Sequence, residues 1–313
     1  AFNTAVGHFA GYAVTTGVQN TLIGGLAGDA ITTANNNVAI GVGSAGATTT
    51  GGSNVAISVN ALGSNTTGST NVAIGQDTLF NNTTASNNTA VGHNAMVANT
   101  TGTNNVAVGK DALDSNTTGN SNTALGVDAL QANTTASNST ALGHGALAVS
   151  TGVDNTAVGK FAGVAVTTGI DNTFIGTNSG DALTDADYNV AVGRSALTSD
   201  TLGSRSVAVG YQALAFQNFT SATDTYNTAV GTLAGNKVTT GTNNTLIGGL
   251  AGDAITTGAN NTAVGYNSLT TNTTGAYNTA IGIASMASNT TASDNVAVGG
   301  DSLTANTTGA SNT

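Results

Sequence analysis

Asn71-Val72-Ala73-Ile74-Gly75 is followed, seventeen residues on, by Asn88-Thr89-Ala90-Val91-Gly92, and seventeen further on by Asn105-Val106-Ala107-Val108-Gly109. Working outward in both directions, the same pentapeptide opens a repeat at Asn3, Asn20, Asn37, Asn54 and Asn122. It returns at Ser139, Asn155, Asn172, Asn189, Ser206, Asn227, Asn244, Asn261, Asn278 and Asn295. Two steps leave the period: Ser139 to Asn155 is sixteen residues, and Ser206 to Asn227 is twenty-one. A fixed short period is the mark of stacked, near-identical elements that contact only their neighbours. Residues 1–313 therefore read as a single repeat array of about eighteen coils, with a one-residue deletion near 150 and a four-residue insertion near 215–226. At one coil per ~4.8 Å strand spacing the expected rod is about 85 Å long. The chain opens and closes inside a repeat, so the expectation is a fragment of a longer chain.

Numbered from its Asn, the repeat reads N-T-A-V-G-x-x-A-L-x-x-N-T-T-G-x-x. Position four is always aliphatic, position five is Gly except at Ser58, and position eight is Ala, Ser or Thr. Thr, Asn and Gly are poor helix formers, and no apolar stripe of period 3.6 runs through the repeat. Short β-branched runs between Gly and Asn turns read as strands. Two are expected per repeat, at positions two to four and eight to ten, with a third near twelve to fourteen. Gly at five suits a bend where φ is positive or a side chain would clash. Asn at one and twelve is expected to tolerate left-handed backbone and to stack in hydrogen-bonded ladders. Seventeen residues are too few for a βαβ element, so the fold class is all-β, a parallel β-solenoid or β-roll of 17-residue coils. The structural repeat is exemplified by Asn71, Ala73, Ile74 and Gly75.

Neighbouring residues of a strand point to opposite faces, yet positions three (Ala) and four (Val, Ile or Leu) are both apolar. One thin coil buries one face, so the other is expected to meet another chain. The simplest such assembly is a cyclic homotrimer, although the pattern does not fix the number of chains. On this reading Asp at Ala107 or Ala124 should disrupt assembly or folding.

Some repeats depart from the consensus in a compensating way. Gly replaces Leu at nine where a large apolar residue stands at seven and an aliphatic one at twelve, as in Leu26, Gly28 and Ile31, or Leu250, Gly252 and Ile255. Repeats with Gly at nine come in adjacent pairs starting at Asn3/Asn20, Asn155/Asn172 and Asn227/Asn244. The second member of each pair carries Leu22, Phe174 or Leu246 at position three and an acid at Asp29, Asp181 or Asp253. Core volume is kept while its location shifts.

Only 6% of residues are charged, and all fifteen acids are Asp. The net charge of -10 and the scatter of five basic residues argue against a nucleic-acid partner. No apolar run is long enough for a membrane-spanning helix. Cys and Glu are absent, no Ser/His/Asp arrangement or close acid pair stands out, and no catalytic site, metal site or cofactor is expected. His8, His93 and His144 share position six with Lys110, Lys160, Arg194, Tyr211 and Tyr266, a column that reads as a solvated ridge. The Asn-Thr-Thr segments match a glycosylation acceptor, and their register favours a turn-and-ladder role. The inserted segment, residues 215–226, concentrates Phe216, Phe219 and Tyr226, a candidate receptor-binding loop. The plainer reading is a bulge that tucks the two Phe rings onto the core.

Asn37-Val38-Ala39-Ile40-Gly41 and Asn71-Val72-Ala73-Ile74-Gly75 resemble the head repeats of trimeric autotransporter adhesins (YadA-like heads). The longer form, Asn261-Thr262-Ala263-Val264-Gly265-Tyr266-Asn267-Ser268-Leu269, is similar to repeats of bacteriophage tail-fibre proteins and large bacterial surface proteins. The resemblance implies left-handed β-rolls, one per chain, in a homotrimer. The expected function is a non-enzymatic structural fibre, extracellular, in a virion tail fibre or on a cell surface, used for attachment to a host-surface glycan or protein receptor. Alternatives are a self-polymerising extracellular filament and an ice-binding solenoid. Strand alternation would send the two adjacent Thr of each repeat to opposite faces, which counts against ice binding.

Overall fold

A computed structural model describes residues 2–313. The chain forms two compact units, Ala1–Asp154 and Asn155–Thr313. Each unit is a parallel β-solenoid, and no helix occurs among the described residues.

In the first unit each coil contributes one three-residue strand, from β1 (Thr4–Val6) and β2 (Thr21–Ile23) to β8 (Thr123–Leu125) and β9 (Thr140–Leu142). Successive strands pair in parallel at identical repeat positions, so that Ala73 faces Ala90 and Ile74 faces Val91. The second unit runs likewise from β10 (Thr156–Val158) through β11 (Thr173–Ile175) and β12 (Val190–Val192) to β14 (Val207–Val209). It continues at β16 (Thr228–Val230) and ends at β20 (Val296–Val298). Two short strands, β13 (Gly203–Ser204) and β15 (Thr223–Asp224), pair beside the inserted segment.

The expected second and third strands do not form; positions eight to ten and twelve to fourteen are turns and bends. The cause is local. Positions seven and nine lie in the left-handed region, at φ 54 for Asp77 and 51 for Leu79, so the chain cannot extend there. Neighbouring coils are hydrogen-bonded along this part too: Leu62 N–H donates to the Thr78 carbonyl at 3.0 Å and Thr66 N–H to that of Thr83 at 2.8 Å.

The core is thin and half polar. Position three points inward, with Ala73, Ala107 and Ala124 fully buried, and Leu or Met at nine packs beside it, as Leu79, Met96 and Leu113 do. Position four points outward and is partly exposed, 37% for Ile74 and 47% for Leu125. The two apolar faces are thus separated: Ala fills the coil interior, and the aliphatic column is the face left open. Ala107 and Ala124 consequently report on the coil interior and not on an interface between chains.

Asparagine at one and twelve forms the expected ladders. Asn88 N–H donates to Asn71 Oδ1 at 3.0 Å, and Asn99 Nδ2 to Asn82 Oδ1 at 2.9 Å. Where position twelve is Asn, both columns can converge on one carbonyl, as Asn88 Nδ2 and Asn99 Nδ2 both donate to Gly102 O, at 2.8 and 3.0 Å. Buried amides are tolerated because they are paired. Neither column is left-handed; besides positions seven and nine, that conformation falls to position seventeen, as at Asn87 (φ 61) and Asn104 (φ 59). An amide that must bond both along the stack and across the coil is held by the ladder, and the sharp turn moves to the exposed corner.

Gly at five meets both expected requirements. Gly92 has φ +136, and a Cβ there would lie 2.5 Å from the Gly109 carbonyl oxygen. The altered coils show the expected exchange of volume only in part, for Leu26 at seven is 43% exposed and adds nothing to the core. A Cβ on Gly28 would strike Leu22 and Ile31, each at 2.8 Å, so the larger residues at three and twelve occupy the space that Leu at nine fills elsewhere.

Candidate functional site

The insertion is seated by a buried polar network. Asp200 stands at position twelve, where eight of the eighteen coils carry Asn, and is fully buried. Its Oδ1 accepts from Gly203 N–H at 3.1 Å and Phe219 N–H at 2.9 Å, and its Oδ2 from Gln217 Nε2 at 2.6 Å. Gln217 also donates to Ser206 Oγ at 2.7 Å and accepts from Asn227 Nδ2 at 2.9 Å. The carboxylate thus receives three donors that the two Asn ladders would not satisfy across a longer coil.

This network decides the fate of the three sequence candidates. Phe219 is drawn inward by its backbone bond to Asp200 and is only 7% exposed. Phe216 and Tyr226 are each 55% exposed. The bulge reading therefore holds for one Phe ring and not for the other, and Phe219 is not available as a surface anchor.

Around Tyr226 the structure gathers residues that the sequence reading passed over. Arg205 Nε pairs with Asp224 Oδ1 at 3.0 Å, and Tyr226 Oη donates to Asp224 Oδ2 at 3.3 Å. The Arg205 guanidinium lies 4.8 Å from the centroid of the Tyr188 ring. The β13–β15 ladder brings Ser204 opposite Asp224 and so places Arg205 beside the acid. Tyr188, Arg205 and Tyr226 close successive repeats at the left-handed position, with φ 59, 64 and 49. The first unit has Gln19, Asn36, Ser53, Thr70, Asn87, Asn104, Ser121, Asn138 and Asp154 at this place. Bulky residues at a corner that otherwise favours small polar ones were the legible signal for this cluster.

The other candidates stay apart. Position six is an outward ridge: His8, His93, His144, Lys110, Lys160, Arg194, Tyr211 and Tyr266 are all exposed. Among the described residues no three His, Cys, Asp or Glu side chains converge as metal ligands would. Asn65, of Asn65-Thr66-Thr67, is fully buried and bonded to Gly68 O, so in the folded chain it serves the ladder. Thr at thirteen uses its hydroxyl along the stack, as Thr100 does toward Thr117 O at 3.0 Å. Thr at fourteen is exposed in eight successive coils, from Thr16 to Thr135. Because these two positions form a bend, strand alternation does not apply to them. No helix among the described residues is long and apolar enough to cross a membrane.

Neither a protein-family profile nor a curated protein matches this chain.

Proposed function

We propose that this chain is a non-enzymatic structural fibre segment, the shaft or head of an extracellular attachment fibre, assembled as a homotrimer. The observation that carries the proposal is the outer face of the sheet. Positions two and four present only Val, Ile, Leu and Thr along every coil of each unit, while the interior is already filled by Ala, Leu and Asn. A continuous apolar column on a repetitive scaffold is a surface that association removes from water. Position-four residues of three chains around one axis would bury it symmetrically, as closed homo-oligomers do. The resemblance to adhesin heads and tail-fibre repeats supports the same reading. Mass photometry combined with electron microscopy of the purified chain tests it: fibrous particles of three chains are expected, and a monodisperse monomer would overturn it. The exposed threonine column supports a second reading, an ice-binding face, which thermal hysteresis of the chain in solution would reveal.

A further inference from the structure

We infer that Tyr226, Arg205 and Asp224, braced by Tyr188, form a binding subsite for a neutral oligosaccharide. The inference rests on the attachment reading, to which it adds the ligand class and the residues. Each member supplies something a sugar ring needs. The C–H face of a pyranose stacks on an aromatic ring, and Tyr226 offers an exposed one. Adjacent sugar hydroxyls need a donor and an acceptor held side by side. Arg205 spends its Nε on Asp224 and retains its terminal N–H groups, while Asp224 keeps lone pairs beyond those used by Arg205 and Tyr226. Both side chains remain accessible, at 42% and 50%. Their charges offset each other, so the pair offers hydrogen bonds without a net field to attract an ionic ligand. The guanidinium rests over the Tyr188 ring, and this contact lowers the entropy lost when a ligand docks.

A second observation comes from the backbone. Bulky residues in the left-handed region are conformationally costly; at position nine burial offsets that cost, as at Leu79 and Leu113, and Tyr226, at 55% exposed, lacks that compensation. Three in a row at repeat ends, where the same corner of the first unit is almost wholly Asn, Ser, Thr or Gln, mark a place where side-chain chemistry overrides local preference. Tyr277 supplies an internal control. It occupies the same corner at φ 57 and is 62% exposed, but its column neighbours are Asn260 and Asp294, with no arginine.

The test is calorimetric titration and saturation-transfer NMR with oligosaccharides of glucose, mannose, galactose and N-acetylglucosamine, with sialyllactose as the acidic probe. At least one neutral probe should bind. Tyr226→Ala should weaken it about ten-fold or more, Arg205→Lys and Asp224→Asn should weaken it measurably, and Tyr277→Ala should leave it unchanged. Unchanged melting curves show that Tyr226→Ala and Asp224→Asn keep the fold. The inference is overturned if no neutral probe binds, if only sialyllactose binds, if Tyr226→Ala binds as the parent does, or if Tyr277→Ala weakens binding equally. Beads coated with the chain and mixed with bacterial cells separate this from the attachment reading. Adhesion that survives Tyr226→Ala leaves attachment standing and removes the site; sugar binding without adhesion does the reverse.

Discussion

Asn99 shows what one side chain does in this fold. Its Nδ2 donates to Asn82 Oδ1 at 2.9 Å and to Gly102 O at 3.0 Å, and its Oδ1 accepts from Asn116 Nδ2 at 2.9 Å. The residue is fully buried, so nothing else replaces these bonds. Asn99→Ala should therefore cost about 2–4 kcal/mol, the penalty of leaving buried polar partners on both neighbouring coils poorly satisfied. A lowered denaturation midpoint with an unchanged β spectrum is the expected result, and stability within about 0.5 kcal/mol of the parent would show that the ladder is not a source of stability. Leu113 makes the complementary case. It stands at φ 51, where a branched side chain is disfavoured, and is fully buried. Apolar burial of a Leu, worth about 1.5–3 kcal/mol, is large enough to hold that backbone.

A coil is the smallest element whose composition makes sense as a whole. Leu at nine with Asn at twelve, and Gly at nine with an aliphatic at twelve, are two solutions to one volume. In the coil beginning at Asn105, Asn116→Ile alone would break the ladder and crowd Leu113. Ala107→Leu, Leu113→Gly and Asn116→Ile together would reproduce the arrangement of Leu22, Gly28 and Ile31. The triple variant should be markedly more stable than the sum of the single changes predicts, because the three share one space. Thermal melts of the three singles and the triple decide this; simple additivity would mean that the two coil types are unrelated solutions.

Much of this level was legible in the sequence, since period, inward Ala, the Gly bend and the Asn ladders are all carried by residue type at fixed spacing. The extra strands were misread because a Leu at φ 51 and an Asp at φ 54 look like any others in a sequence, and only the stack makes that conformation tolerable. The site was half legible. Phe216 and Tyr226 stand out by type, while Phe219 is withdrawn by Asp200. Arg205 and Tyr188 become visible only when residues are compared at the same corner of successive coils.

At the scale of the molecule the question is what covers the aliphatic column. Ile74, Val108 and Leu125 all lie on the outer sheet face of the first unit, and none of them is needed to fill the coil, whose interior belongs to Ala73, Ala107 and Ala124. Replacing the three with Lys adds charges whose stems can lie along the strand while the ammonium groups reach water. The isolated fold should tolerate this with only modest loss of stability. An assembled seam should not, because three chains would each bring three like charges into one dry contact. Ile74→Lys, Val108→Lys and Leu125→Lys together should therefore give a soluble chain with the parent's β spectrum that sediments as a monomer while the parent sediments as a trimer. If the variant still associates, chains meet elsewhere than at the position-four column. If it loses its β spectrum, the column is part of what folds each chain, and association and coil formation are one event.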